Sequence, residues 1–179
     1  MALIIGLPIG VLMGEVDLIE LLVKPVLDTM QTMPSFVYLI PAIMLFGLGK
    51  VPGVIATLIY STPPIVRLTN LGLRQVEEGA QEAAKAFGAT RWQLIKEVRV
   101  PLAIPSILMG VNQTTMMALA MSVIAAMIGA GGLGEKVLWS INRILIGEGF
   151  EAGIGIVVLA IVIDRITQGI AQTWEPPSS

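Results

Sequence analysis

The sequence predicts an all-α, polytopic bundle of transmembrane helices, and three observations predict it. The 179-residue chain is 55% hydrophobic, with a mean hydropathy of +0.83. Charged residues make up 13% of it, about half the share usual in a soluble domain. The charges also fall at intervals, leaving uncharged runs long enough to be helices in lipid. A single soluble core of this size could not bury so much apolar surface. With no linker or repeat in view, residues 1–179 read as one transmembrane domain of about five spans, the first incomplete.

Residues 1–14 (MALIIGLPIGVLMG) are apolar but rise only about 21 Å as a helix. That is short of a hydrocarbon core about 30 Å thick, so the run reads as the back half of a span. Without a basic stretch ahead of it or a small-residue cleavage site, it does not read as a secretory signal. Residues 15–28 (EVDLIELLVKPVLD) mix acids with Leu, Ile and Val at helical spacing, as an interfacial helix does. Residues 29–49 are uncharged and can span, with Pro34 and Pro41 tolerated where neighbours satisfy the freed carbonyls. The run 51–66 extends toward Leu73 past Pro63 and Pro64. Residues 100–134 supply a long span and a glycine-rich turn, and the last span lies near 150–171, with Asp164 and Arg165 close to its end.

Basic residues set the orientation. Arg67, Arg74, Lys85, Arg91, Lys96 and Arg99 are six of the eleven, so the positive-inside tendency places 67–99 in the cytoplasm. Residue 50 and residues 135–149 then fall outside, while 15–28 and the C-terminus fall inside.

Composition also excludes chemistry. Net charge of −2 and an isoelectric point near 5.1 argue against nucleic acid as a partner. Cysteine and histidine are both absent, which removes disulfides, thiolate nucleophiles, His-based triads and most zinc sites. No nucleophile–base pair is evident, so no catalytic residue is assigned. "GAGGLG" at 129–134 matches a dinucleotide fingerprint by letter, but that motif must follow a strand and open a helix in a βαβ unit. It reads instead as a flexible turn at the outer end of a span. Gly6, Gly10 and Gly14, like Ala118, Ser122, Ala126 and Ala130, recur every four residues, the spacing of close helix packing. Asn112, Gln113, Thr114, Thr115 and Ser122 are polar positions in the fourth span. Interhelical hydrogen bonding and contact with a solute path both fit them, and Asn112, Gln113, Thr115 and Ser122 are the candidate pathway-lining residues. No acidic residue is expected mid-span, which weighs against an ion-coupled secondary carrier.

The polar exception is "QEAAKAFGATRWQLIKEVRVP" (81–101). Glu77 to Ala86 has good helix formers, and Gly88 suits a C-terminal cap. Thr90 with Gln93 predicts a capping box for a second helix over Arg91 to Arg99. Pro101 predicts a boundary before the next span, because proline disfavours helix at the residue ahead of it. Ala80, Ala84 and Gly88 share a face smooth enough for another backbone to approach.

The stretch resembles the "EAA" motif of bacterial ABC-importer permeases. Glu82, Ala83, Ala84 and Gly88 are followed at the family spacing by Val98, Val100 and Pro101. The two valines stand where the family more often has isoleucine and leucine. Residues 31–69, 101–134 and 158–168 (VLAIVIDRITQ) look like permease subunits of glycine betaine/proline betaine importers. Family members usually begin with at least one further transmembrane stretch, in keeping with an incomplete first span here. The resemblance implies a binding-protein-dependent permease in a bacterial or archaeal plasma membrane. It also implies a second permease copy in a homodimer, two cytoplasmic ATPase subunits, and a substrate-binding protein, free or tethered. ATP and magnesium would sit on the ATPases, leaving no cofactor on this chain. Glu82, Ala83, Ala84, Phe87, Gly88 and Pro101, in a coupling loop of about 74–100, would carry ATPase coupling. A permease for choline, carnitine, methionine or a sulfonate is the nearest alternative. An ATP-independent carrier or a purely structural membrane anchor lies further off.

Overall fold

Every described secondary-structure element is helical in the computed structural model, which describes residues 1–172, with side chains described as far as Ile170. The chain runs through α1 (Ala2–Glu15), α2 (Asp17–Thr32), α3 (Ser35–Phe46) and α4 (Lys50–Arg74). A polar connection holds α5 (Glu78–Ala86) and the short α6 (Arg91–Gln93). A π-helical turn over Leu94–Arg99 leads into α7 (Val100–Ala126), followed by α8 (Leu133–Arg143) and α9 (Ile146–Gln172).

The centre is an antiparallel pair, α4 against α7, brought together by small residues. A Cβ on Gly53 would stand 3.1 Å from Ala125 Cβ, one on Gly72 2.6 Å from Ser106 Cβ, and one on Gly110 3.0 Å from Ile65 Cδ1. Without a hydrophobic drive between helices in lipid, such close van der Waals contact is what joins them. The predicted stripe on α1 does the same against α4. Gly6, Gly10 and Gly14 meet Ile65, Thr69 and Leu73 in turn, and all three glycines are buried. One apolar cluster (Met13, Leu27, Ile65, Val66) joins α1, α2 and α4, and another (Tyr38, Leu39, Ala42, Ala56, Met121) joins α3, α4 and α7.

Two expectations change. Residues 29–49 do not form one straight helix: α2 runs to Thr32, and α3 leaves it at a bend of 99°. Met33 precedes Pro34 and adopts ψ 132, the extended backbone that proline imposes on its predecessor. Three helical stretches are long and apolar enough to cross a membrane, Lys50–Arg74, Arg91–Ala126 and Ile146–Ile170. The bent pair makes a fourth if it is one span, and short α1 completes the expected set. Second, Pro101 is not a boundary. Val100 is helical (φ −64, ψ −48), and the helix is continuous from Arg91 to Ala126. The π-turn ends where Pro101 enters α7; inside this continuous helix proline cannot donate, and its missing N–H falls where the π-turn has already shifted the hydrogen-bond pattern.

Candidate functional site

α5 is set by local hydrogen bonds. Gln81 Nε2 donates to Val76 O at 2.9 Å, tying the helix to the turn before it. Its far end is a full Schellman motif, with Ala89 N donating to Ala84 O (3.0 Å) and Gly88 N to Lys85 O (2.9 Å). Gly88 takes φ +84 to make it, with open space where a Cβ would be. The predicted capping box is present: Gln93 N donates to Thr90 Oγ1 (3.4 Å) and Thr90 N to Gln93 Oε1 (2.9 Å).

The outward face differs from the expected one. Ala80 and Ala84 are half-buried, and α5 packs on the π-turn. The exposed face carries Glu82, Ala83, Ala86 and Phe87, with Phe87 94% exposed and Trp92 69%. The shift follows from helix phase: the smooth alanine stripe is what α5 spends on its own chain. Gly88 acts as the cap, and Pro101 lies beyond the π-turn, exposed on α7.

Behind the loop lies an ion network that the sequence did not single out. Arg99 Nη1 pairs with Glu15, while its Nη2 donates to Leu73 O (3.1 Å) and Gly14 O (3.4 Å). One guanidinium thus caps the ends of both α1 and α4. Arg74 binds Asp17 (2.7 Å), Glu20 (2.9 Å) and Met13 O (3.0 Å), and Arg67 pairs with Asp28. These partners are 84, 57, 54, 61 and 39 residues apart, too far for any spacing rule to reveal. Only the surplus of acids in 15–28 and of bases in 67–99 hinted at them.

The four candidate pathway residues separate. Thr115 and Ser122 line a cleft of about 510 Å³ between α4, α7 and the start of α1. Gln113 borders a second cleft of about 400 Å³, beside Glu20, Lys24 and Arg67. Asn112 faces α9, where its Nδ2 donates to Asp164 Oδ1 at 2.8 Å. Asp164 also accepts from Gln168 Nε2 at 2.8 Å. It lies within α9, which continues to Gln172, so a carboxylate does sit inside a candidate span. Interhelical hydrogen bonding is therefore the role the geometry gives Asn112. The "GAGGLG" segment is the predicted turn, with Gly129, Gly131 and Gly132 at positive φ, and Gly49 N donating to Ile128 O (2.9 Å) beside it. Among the described residues no group of three or more acidic side chains gathers to hold a cation.

The family described as "Binding-protein-dependent transport system inner membrane component" matches residues 6–176. Over 93% of its length the chain is 53% identical to the glycine betaine/carnitine transport permease protein GbuB of Listeria monocytogenes, covering 59% of that protein. It is 49% identical, over 95% of its length, to the glycine betaine/proline betaine transport system permease protein ProW of Escherichia coli, covering 48% of it. It is 32% identical to the glycine betaine/carnitine/choline transport system permease protein OpuCB of Bacillus subtilis, covering 76% of that protein. The chain thus spans about half to three fifths of the first two relatives. Among solved structures, an inward-facing MetNI methionine ABC transporter matches with a TM-score of 0.84 at 21% identity. The match covers 98% of this chain and 88% of that one. At that identity the likeness concerns the fold.

Proposed function

The chain belongs to the family of binding-protein-dependent transport system inner membrane components, and from that premise we propose that it is the permease subunit of an ATP-driven importer for glycine betaine- and proline betaine-type osmoprotectants. The observation that carries the coupling role is the exposed Glu82–Ala83–Phe87 face, an apolar ring and a carboxylate on a helix outside the spans. A fully exposed phenylalanine on a polar loop is a natural anchor for a partner's pocket. In this reading two copies form the pathway, and each seats α5 in a cleft of a cytoplasmic ATPase that holds ATP and magnesium. Closure of the ATPases draws the loops together, and the π-turn and Arg99 pass the displacement to α7, α4 and α1. A binding protein, free or tethered, delivers solute to the opposite face.

The ion pairs favour the expected orientation, because they gather 15–28 and 67–99 at one end of the bundle. The positive-inside tendency makes that end cytoplasmic. A cytoplasmic C-terminus belongs to the same reading; residues 173–179 lie outside the described ones.

The test is uptake of labelled glycine betaine by vesicles holding this permease, its ATPase and its binding protein, with choline, carnitine and methionine as competitors. Glu82→Lys and Phe87→Ala are expected to lower uptake at least tenfold while membrane insertion is kept. Uptake equal to wild type in both variants would refute the coupling role. Selective competition by methionine would move the substrate to another class.

A further inference from the structure

Asp164 is a carboxylate deep within a span that the coupling scheme above leaves unused. Its partner Asn112 stands thirteen residues above Arg99 on α7, about 20 Å of rise, so the pair meets well inside a hydrocarbon core about 30 Å thick. An ionisable group at that depth is costly, and a packing contact alone would be served by an apolar side chain. No cation answers the charge. None of the ion pairs among the described residues includes Asp164, and Arg165 is exposed, about 100° round the helix from it. Two amides hold the carboxylate instead, Asn112 Nδ2 donating to Oδ1 and Gln168 Nε2 to Oδ2, each at 2.8 Å.

The orientation of Asn112 shows which partner dominates. Its Oδ1 is buried with no hydrogen-bond partner. Turning the amide over would set that oxygen against the carboxylate, so the orphan is the consequence of giving Asp164 a donor. Little else fixes α9 at this depth. Its outer end packs on α8, where a Cβ on Gly149 would stand 3.0 Å from Ser140 Cβ, and Ala152 is its only buried residue among those described. Further in, Ile156, Ala160, Ile163, Asp164 and Thr167 form a half-buried stripe towards α7, with Asp164 its one charged member. Contacts between aliphatic side chains are non-directional, whereas a charge-assisted hydrogen bond sets an angle.

That angle governs α7. Thr115 and Ser122 lie about 60° and 80° to one side of Asn112 on the helix, and Gln113 about 100° to the other. The first two line the cleft of about 510 Å³ and the third the cleft of about 400 Å³. Fixing Asn112 on α9 therefore fixes which side of α7 each cleft receives. We propose that Asp164 is a positioning residue: through Asn112 it holds the rotation of α7 about its own axis, so that the same polar side chains line the clefts while the coupling loop moves the helix. Its effect on uptake rests on the importer reading above; the latch itself does not.

The chain contains no cysteine, so single cysteines on it report alone in the complete transporter reconstituted in vesicles. Reaction with a water-soluble maleimide is read on this subunit at Thr114→Cys, a buried position, and at Ser122→Cys, an exposed one. With Asp164→Leu, position 114 should label at least fivefold faster and position 122 at least fivefold slower. Thr69→Cys, buried where Gly10 of α1 meets α4, should stay protected. Asn112→Asp sets two carboxylates face to face and should give the same pattern, with betaine uptake down at least fivefold in either variant. Adding Asp164→Asn to Asn112→Asp again sets one amide against one carboxylate, and should return labelling and uptake to within about twofold of wild type. This exchanged pair keeps the test decisive should Asp164→Leu fail to assemble. Wild-type labelling in Asp164→Leu, loss of protection at position 69 as well, or no recovery in the exchanged pair overturns the proposal. So does altered labelling with wild-type uptake, since the rotation would then not matter to transport. Wild-type vesicles that import no betaine overturn the importer reading, and the labelling alone then decides the latch.

Discussion

Arg99→Met should loosen the link between the loop and the bundle. The arginine side chain is 13% exposed and its partner Glu15 23%, so the pair is largely out of water. Methionine keeps the stem's packing but leaves Glu15 and the carbonyls of Gly14 and Leu73 without their shared donor. Breaking one side of a buried pair costs about 3–5 kcal/mol, because the surviving charge stays desolvated. For a chain of this size that corresponds to a fall on the order of 10 °C in melting temperature. Glu15→Gln alone should lose somewhat less, since the guanidinium retains two carbonyl acceptors. The double variant should be closer to wild type than the two separate losses predict, by at least about 1 kcal/mol of coupling. Arg99→Lys should recover only part, because an ammonium lacks the planar fork that reaches three acceptors at once. The assays are thermal melting of the purified transporter and the ratio of solute imported to ATP hydrolysed. Additive losses in the cycle, or an unchanged ratio in Arg99→Met, would refute the idea that this residue carries motion from the loop to α1 and α4.

Two further substitutions test the packing and the cap. Gly10→Ala would set a Cβ 2.6 Å from Thr69 Cβ and 2.8 Å from Val66 O, so it should destabilise by about 1–3 kcal/mol in a melting assay. Gly153→Ala, with nothing within 4 Å, should be neutral or stabilising by up to about 1 kcal/mol, and equal effects would discredit the packing argument. Gly88→Ala should fray the end of α5 at a cost of about 1–2 kcal/mol, read as faster hydrogen exchange at residues 88 and 89. Gly88→Asn should lose less, since asparagine tolerates the left-handed region.

Legibility divided along the length of the interactions. The capping box at Thr90 and Gln93 and the glycine cap at 88 were readable because their partners lie within a few residues. The α1 stripe was readable because a four-residue repeat is itself the packing surface. Phase was harder: α5 has two faces small enough to bury, and contact with the π-turn selects Ala80 and Ala84. Pro101 misled because the rule against helix before proline is a tendency, and a continuous helix overrides it here. Asn112 and Gln113 are neighbours in sequence, yet they face α9 and the second cleft, about a hundred degrees apart on one helix.

By itself, the sequence determined the solvent, the helical class, the polar loop and its family resemblance, since each rests on composition or on residues a few positions apart. Only the tertiary structure decided where Arg99 reaches, and which polar positions of α7 face α9 and which face the α4–α7 cleft. Those features depend on segments tens of residues apart meeting at defined angles. In this chain the meeting points are small residues, whose message is only that something else comes close.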